Sequence, residues 1–303
     1  MKFMVEYPLG VDDEGQPWSK PSSIAAFAKA LEAAGVDAIA FTDHPAPSKK
    51  WLDHGGHATI DPFVGLGFCA GVTTGLRLMT ALTVVPYRNP LLMAKSMTAV
   101  DVVSDGRATF VLGTGYLRSE FLALGVAFDE RNALFDEAIE VAKGLWSTDE
   151  LHYEGKHFTA IGQTLSPRQV QQPHPPLWLG GNASVVRDRV ARWGDGWAPM
   201  LGGGTVTRTA RTVAIETDDD FAAALDDLGE RLERHGRHLS DIDVVGSIAP
   251  TRVGLSDPPA YVDGLGKLSA LGVTWTHAPV VRGNLAASLD AIAQFGEEVR
   301  AKL

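Results

Sequence analysis

The sequence contains a single cysteine, Cys69, among its 303 residues. One cysteine cannot form a disulfide within the chain, so the sequence is not a disulfide-stapled secreted domain, and a reducing cytoplasm is the expected compartment. No apolar run is long enough to span a bilayer, and the first residues, MKFMVEYPLG, do not have the pattern of a signal peptide. We therefore expect a cytoplasmic protein that does not enter a membrane.

Clusters of basic residues are also missing. The chain has 27 Lys and Arg against 37 Asp and Glu, which gives a formal net charge of -10. Nucleic acid is bound mainly by clustered cations, so this balance argues against a nucleic-acid partner. Hydrophobic residues make up 45% of the chain and charged residues 21%, a composition that supports a large core and excludes disorder.

Short apolar runs of strand length alternate with segments of helical periodicity along the chain. Strands are predicted at residues 2–7, 37–41, 76–85, 108–113, 176–180, 196–200, 242–249 and 273–278. Runs that are apolar on both faces and separated by helices indicate parallel strands covered on each side. Eight such units predict a single (β/α)8 TIM-barrel domain over residues 1–303, with an open doubly wound sheet as the alternative.

Two segments are too long or too polar to be plain connections. Residues 148–175 predict an insertion at the active-site face, with a small hairpin around Tyr153 to Phe158. Residues 201–217 contain consecutive glycines and several threonines, which is typical of a mobile loop or lid.

The polar residues that follow the predicted strands are the candidates for chemistry, because the loops after parallel barrel strands converge on one mouth. His44 is the strand-end histidine that is directly preceded by an acid, Asp43. An imidazole there suits general acid or base catalysis, or donation of a hydrogen bond to a bound ring. Alternatively, backbone carbonyls at the rim satisfy His44, and Asp43 caps the next element or pairs with a rim cation.

Glycine-rich turns follow the fourth and fifth strands. Residues 180–184, GGNAS, and residues 113–116, GTGY, each allow backbone N–H groups to approach an anion near a helix start, although any tight strand-to-helix loop also favours glycine. Together they favour a cofactor with a flat ring and a phosphate tail. Arg131, in the opening turn of the next predicted helix, is either an anion ligand or part of a surface salt bridge.

The stretch WLDHGGHATIDP raises the question of a metal, since it contains His54, His57 and two aspartates. Metal hydrolases built on barrels need ligands that converge from several strands, typically beginning with a closely spaced histidine pair on the first. The first predicted strand has no histidine. We predict no metal site and keep a metal-dependent TIM-barrel hydrolase as the alternative from a different class.

Several stretches in combination resemble the luciferase-like flavin and deazaflavin oxidoreductases, most closely the branch that uses coenzyme F420. These stretches are FTDHP, GGHATIDPF, TALTVVPYRNPLLMAKSMTAVDVVSDGRATFVLGTGYLRSEFLALG, RNALFDEAIEVAKGLW and PHPPLWLGGNASVVRDRVARWGDGWAP. The resemblance is dense over about residues 1 to 200 and loose beyond. It implies a barrel with the cofactor ring across its mouth and a small organic molecule as substrate. Relatives often form homodimers.

The resemblance also implies roles for individual residues. Asp43 and His44 stand where deazaflavin enzymes place ring-contacting and substrate-facing residues, and the Ala81–Leu82 bond stands where relatives have a non-prolyl cis peptide behind the ring. The implied cofactor contacts are Asp43, Ala81, Leu82, Thr83, Gly113, Thr114, Gly115, Arg131, Gly181, Asn182, Ala183 and Ser184. The pocket candidates are Tyr7, Trp51 and Tyr116.

Two departures from the family pattern guide the choice of reaction. Thr114 stands where flavin-binding luciferases have an arginine, which favours F420 over FMN. Tyr116 stands where sugar-phosphate dehydrogenases of the deazaflavin group carry a catalytic glutamate, which argues against that substrate. The resulting expectation is an F420-dependent oxidoreductase in which His44 exchanges the substrate proton and Asp43 fixes the ring or the imidazole. The alternative within the same class is an FMN-dependent monooxygenase.

Overall fold

The structure is a computed structural model that describes residues 1–8, 10–203, 207 and 212–303. The strands in this part of the chain are β1 Lys2–Glu6, β2 Ala38–Phe41, β3 Arg77–Val84, β4 Ala108–Gly113, β5 Leu151–Glu154, β6 Thr159–Gln163, β7 Leu177–Gly180, β8 Gly196–Ala198, β9 Asp243–Val244 and β10 Trp275–His277. Its helices are α1 Pro21–Ala33, α2 Lys49–Leu52, α3 Pro62–Val72, α4 Pro90–Val103, α5 Arg118–Ala123, α6 Arg131–Ser147, α7 Ser184–Trp193, α8 Asp218–Glu233, α9 Pro258–Ala270 and α10 Leu285–Glu298. Short 3₁₀ helices cover Val85–Tyr87, Phe128–Glu130, Leu239–Asp241, Ala249–Ser256 and Arg300–Lys302. No described helix is long and apolar enough to cross a membrane.

Within the described residues, eight strands form one sheet in the order β10-β1-β2-β3-β4-β7-β8-β9. The pairs β10-β1, β1-β2, β3-β4, β7-β8 and β8-β9 are parallel. Val245, directly after β9, makes a parallel bridge to Trp275 of β10, so the two ends of the sheet order meet. Parallel strands with intervening helices that nearly close on themselves confirm the predicted (β/α)8 barrel.

Contacts divide the chain into two compact units. The first contains residues 1–40, 75–77 and 177–303, and the second contains residues 41–74 and 78–176. In the first unit, Phe3 of β1 packs edge-on against Phe295 of α10, with ring centroids 5.0 Å apart, and both rings are buried. This aromatic contact belongs to the core of the first unit, as does the buried Trp275, to which Val245 is bridged.

The second unit is built from β3, β4 and the helices packed on them. The pairing of β3 with β4 shifts between Thr80 and Thr83, so that two residues of β3 oppose one residue of β4. The peptide bond within this bulge, Ala81–Leu82, is cis, as the sequence resemblance implies. Behind the sheet, the buried Asp101 of α4 accepts hydrogen bonds from the backbone N–H groups of Val170 and Gln171 and holds this segment in place.

Most predicted strands lie within one or two residues of those in the structure, but the seventh was predicted too long. Residues 242–249 contain only β9, although Val245 and Ile248 are buried beyond its end. Val245 still bridges Trp275, and the N–H of Gly246 donates to the Trp275 carbonyl at 2.9 Å, so the pairing ends at Gly246, where a Cβ atom would lie 2.7 Å from the Phe221 ring. In the segment 148–175, the predicted hairpin is confirmed as the antiparallel pair β5-β6. Residues 204–206 and 208–211 of the predicted loop 201–217 lie outside the described residues.

Candidate active site

His44 follows β2 and makes a hydrogen bond to a carboxylate that is distant in sequence. Its Nδ1 atom lies 3.0 Å from Oε2 of Glu120 on α5. The His44 side chain is 8% exposed and that of Glu120 is 0% exposed. This pair is therefore enclosed, which strengthens the interaction between the imidazole and the acid.

Glu120 receives two further hydrogen bonds. The backbone N–H of Ala46 donates to Oε1 and the hydroxyl of Tyr87 donates to Oε2, both at 3.1 Å. Burial raises the pKa of Tyr87 well above its usual range, and the negative charge of Glu120 raises it further, so Tyr87 remains a proton donor. Burial and Glu120 also raise the pKa of the nearby Tyr116.

Asp43 is buried, but its partner is not the imidazole. Its carboxylate pairs with both terminal nitrogens of Arg88, with Nη2 at 2.9 Å from Oδ1, and it accepts a hydrogen bond of 2.9 Å from the backbone N–H of Val84. We expected Asp43 to fix either the cofactor ring or the imidazole of His44. The hydrogen-bond partner of the imidazole is instead Glu120. The salt bridge with Arg88 matches the rim-cation alternative and anchors the loop after β2 to the end of β3.

Aromatic rings enclose His44 on several sides. Its ring centroid lies 4.6 Å from that of Trp51, 4.9 Å from that of His57 and 6.1 Å from that of Tyr116. Gly56 lets this loop close on itself, because a Cβ atom at that position would lie 2.3 Å from the Trp51 ring. The predicted pocket residues Trp51 and Tyr116 thus lie beside the predicted catalytic histidine.

The GTGY turn after β4 packs against the end of β3. A Cβ atom on Gly113 would lie 2.6 Å from a methyl carbon of Leu82, and one on Gly115 would lie 2.5 Å from a methyl carbon of Val84. Gly115 also has a φ of +74°, a conformation that side chains rarely adopt. Both glycines are therefore required by close packing in the second unit, independently of any phosphate.

Arg131 begins α6 and stacks on an aromatic ring. Its guanidinium carbon lies 4.1 Å from the ring centroid of Phe128, and its Nη1 donates to the Phe128 carbonyl at 3.0 Å. Arg118 contacts the same ring at 4.0 Å. Two guanidinium groups thus share one ring, which concentrates positive charge at this point.

The second glycine turn lies in the first unit, between β7 and α7. The Asn182 side chain is buried, where it donates to the carbonyls of Met200 and Val213 at 2.7 Å and accepts from the N–H of Met200 at 2.8 Å. Its amide is thereby committed to holding the turn. Ala183 precedes α7 and has no side chain that can cap the helix, so the first-turn N–H groups face a favourable position for an anion.

The predicted site residues fall into two groups. Asp43, His44, Trp51, Ala81 to Thr83, Gly113 to Tyr116 and Arg131 belong to the second unit, while Tyr7 and Gly181 to Ser184 belong to the first. Tyr7 is buried, and its hydroxyl donates to the carbonyl of Trp18 at 2.6 Å, so its polar group is satisfied within the first unit. Among the described residues, no group of three or more His, Cys, Asp or Glu side chains is arranged to hold a metal ion.

Sequence reasoning missed Glu120, the partner of His44. The residue lies in RSEFLALG, a short segment that follows the GTGY turn, where an acid ordinarily marks an exposed helix face. The only available signal was its place within one of the stretches that carry the family resemblance. The acid directly next to His44 in sequence, Asp43, was the more obvious choice.

Comparison with known proteins places this arrangement in a family. A sequence model of the luciferase-like monooxygenases matches residues 1–252. The chain belongs to this family. An uncharacterized protein from Mycobacterium tuberculosis is 30% identical over 246 residues, which are 81% of this chain and 77% of the relative.

Other relatives in the family carry named activities. An F420-dependent glucose-6-phosphate dehydrogenase of Kineococcus radiotolerans is 30% identical over 208 residues, covering 64% of this chain and 60% of that enzyme. An FMNH(2)-dependent dimethylsulfone monooxygenase of Pseudomonas putida is 31% identical over 126 residues, covering 41% and 34%. The relatives of this chain therefore include an enzyme named for F420 and another named for reduced FMN.

Solved structures confirm the luciferase-like fold. The monooxygenase RslO1 of Streptomyces bottropensis superposes with a TM-score of 0.79 at 19% identity, covering 100% of this chain and 99% of that one. The coenzyme F420 dependent tetrahydromethanopterin reductase of Methanopyrus kandleri superposes with a TM-score of 0.74 at 18% identity, covering 99% of each chain. At these identities the likeness concerns the fold alone.

The buried ion pair of this site generates a stability prediction. Replacing Arg88 by Met leaves the Asp43 carboxylate buried without its cation, which we expect to lower the free energy of unfolding by about 3 to 5 kcal/mol in urea titrations. In the Asp43→Asn background the buried carboxylate is gone and Arg88 keeps only the half-exposed Asp61, 3.4 Å from Nη2, so Arg88→Met should cost much less. Equal costs in both backgrounds would refute the coupling. Arg118→Met, which breaks an exposed pair with Asp129, is the control and should cost below about 1 kcal/mol.

Proposed function

We propose that this luciferase-like protein is an F420-dependent oxidoreductase that transfers a hydride between the deazaflavin and a small organic substrate. The observation that carries the proposal is the enclosed His44 imidazole, hydrogen-bonded to Glu120 and surrounded by aromatic rings at the end of β2. A bound deazaflavin would supply hydride-carrier chemistry that side chains lack. The chain's own task is then to bind the ring, exclude water and move one proton.

The residues present fit such a cofactor. The uncapped start of α7 after Ala183 offers backbone N–H groups to the phosphate-bearing tail, and Asn182 fixes that turn. At the ring end, the hydroxyl of Thr83 is buried and has no hydrogen-bond partner among the described residues. Within the second unit, the bulge in β3 would support the ring, and Arg131 is a cation available to an anionic group.

His44 is the residue that we assign to proton transfer. An imidazole can act as a general acid or base, and a fixed hydrogen bond on Nδ1 gives the His44 ring one orientation. Trp51 and Tyr116 line the surroundings of His44 and would shape the substrate pocket. Asp43 supports this arrangement through the backbone, since it links the loop after β2 to the end of β3.

An FMN-dependent monooxygenase is the second candidate. It is supported by the similarity to the dimethylsulfone monooxygenase of Pseudomonas putida. Thr114 argues for the deazaflavin, because flavin-binding luciferases resembling this chain have an arginine in that turn. A metal-dependent hydrolase receives no support from the described residues, which hold no ligand cluster.

The choice of cofactor is tested by direct binding. We expect purified protein to bind F420 at least about tenfold more tightly than FMN, a difference of about 1.4 kcal/mol, in parallel fluorescence titrations. Ser184→Glu, which places a carboxylate at the start of α7, should weaken binding of both cofactors. Tighter binding of FMN would favour the monooxygenase, and binding of neither would overturn both candidates.

The proton-transfer role of His44 is tested by removing the imidazole. His44→Ala should lower kcat/KM by about 100-fold or more, because a positioned acid or base contributes at least that much. The Kd for F420 should change by less than about twofold. Turnover is followed by the deazaflavin absorbance with a panel of small alcohols and ketones. His54→Ala is the matched control, since His54 is exposed and its Nδ1 lies 2.7 Å from the Lys50 carbonyl oxygen; undiminished turnover in His44→Ala would exclude the role.

We also propose that the protein forms a homodimer through the outer face of α3 and α4. Val64 of α3 is 68% exposed, and Leu92 and Val103 of α4 are 69% and 60% exposed. A groove of about 620 Å³ runs along this face. An apolar surface of this kind marks a protein contact site.

The charges on these helices support a second copy as the occupant. Helix α3 has no charged residue, and the two on α4 bond within the chain, Lys95 to the Ser166 carbonyl and Asp101 to the segment after the hairpin. A chain with net charge -10 repels its own copy, so a face with few acidic residues is where two copies approach at least cost.

The dimer is tested by light scattering after gel filtration. The parent protein should have the mass of two chains, and Leu92→Asp should have the mass of one, because the carboxylate would have to be buried in the contact. Ile161→Asp is the control, since Ile161 is 78% exposed on β6 of the hairpin, and it should stay dimeric. A monomeric parent would contradict the proposal.

The cytoplasm remains the proposed compartment. Cys69 is buried in α3, and burial raises the pKa of its thiol to about 12, so it stays protonated and unreactive. A chain with one such cysteine gains nothing from an oxidising compartment.

A further inference from the structure

We propose that Glu120 is the positioning residue of the site and that it selects the tautomer of His44 in which Nδ1 carries the proton. The inference rests on the proposed function only for its kinetic consequence. The tautomer itself follows from the hydrogen bonds that Glu120 makes. It leaves Nε2 as the basic nitrogen of the neutral ring.

The hydrogen-bond pattern around Glu120 sets the direction of the proton. A backbone N–H such as that of Ala46 can only donate, and the Tyr87 hydroxyl also donates to the carboxylate. A protonated Oε2 would donate to Nδ1 and give the opposite tautomer, whereas an ionised Glu120 offers acceptors alone. With two donors already bound to the carboxylate, we take it as ionised, and its third donor is then the Nδ1–H of His44 at 3.0 Å.

No Lys or Arg among the described residues hydrogen-bonds to Glu120, and this supports a functional role for its carboxylate. Among the described residues, the hydrogen-bond partners of Glu120 are His44, Ala46 and Tyr87, and none is Lys or Arg. Withdrawing a carboxylate from water without a cation is unfavourable, and these three donors have to offset it. Keeping such a group inside the fold is characteristic of a functional position.

The backbone on both sides of His44 is anchored as well. Asp43, the preceding residue, is held by Arg88, and Ala46, two residues on, is held by Glu120. The imidazole thus lies between two fixed points, and its ring has one partner on Nδ1. Glu120 accordingly fixes both the main chain and the side chain of the proton-transferring residue.

Glu120 is itself fixed by packing. The ring of Phe121, its neighbour on α5, lies 4.8 Å from that of Tyr87 in an edge-on contact. Tyr87 in turn donates to the Glu120 carboxylate, so the same two segments meet through an apolar and a polar contact. Because both contacts hold Glu120, its carboxylate oxygens stay within hydrogen-bond distance of Nδ1 when the ligand changes.

The experiment measures the tautomer directly by nitrogen NMR of the histidine rings, with His44→Gln used to assign the signal of His44. In the parent protein, at a pH where this imidazole is neutral, Nε2 should appear unprotonated and Nδ1 protonated. Glu120→Gln should populate the opposite tautomer, because the amide also donates. Tyr87→Phe should leave the parent tautomer, since Glu120 stays a carboxylate. An unprotonated Nδ1 in the parent overturns the proposal even if no variant folds.

Kinetics then separate this inference from the proposed function. Glu120→Gln should lower kcat by about 100-fold while KM and the Kd for F420 change by less than about twofold, as expected for a misoriented proton-transfer group. Glu140→Gln, an exposed charge-matched control on α6, should leave kcat unchanged. A parent with the expected tautomer but no deazaflavin turnover would refute the proposed function alone. An unchanged tautomer and kcat in Glu120→Gln would refute the positioning role alone.

Discussion

The carboxylates of Asp43 and Glu120 are both buried, and a carboxylate withdrawn from water is tolerated only where hydrogen-bond donors surround it. Glu120 takes its donors from the loop after β2 and from Tyr87, whereas Asp43 takes them from Arg88 and from the backbone at the end of β3. The donors come from the chain that follows β2 and from the end of β3 and the turn after it, so satisfying two acids draws these segments into one arrangement. His44 lies within that arrangement, so the same hydrogen bonds fix its position.

Most of the barrel can be predicted from the sequence because its strands are short and buried on both faces. The prediction for β4, residues 108–113, agrees with the structure at both ends, since Gly106 and the glycine turn after Leu112 bound the apolar run. The prediction for β9 extends too far, because Ile248 is buried although the pairing with neighbouring strands has already ended. Hydrophobicity reports burial, whereas a strand also needs a neighbour with which to share hydrogen bonds, and the sequence does not show where that neighbour ends.

The site was predictable only in part, for a related reason. His44 could be found because a strand end in a barrel is a defined position, and a histidine is conspicuous there. Glu120 could not, because nothing in the periodicity of a short helix tells which side chain turns inward, and the two residues are 76 positions apart. Likewise, Asp43 and Arg88 are each recognisable as rim residues, but their pairing depends on the bulge in β3, which fixes how far that strand reaches. The local sequence pattern therefore identifies candidate site residues, whereas tertiary packing determines which side chains they pair with.

The close fit of Gly56 against Trp51 has a consequence for how this pocket can diversify. A Cβ atom at position 56 would lie 2.3 Å from the indole ring and 2.6 Å from the main-chain carbonyl oxygen of Trp51. That carbonyl remains whichever side chain stands at position 51, so a smaller residue there does not make room for a side chain at position 56. The wall beside His44 can therefore vary through the side chain at 51, whereas position 56 stays closed to every residue but glycine as long as the main chain keeps its course.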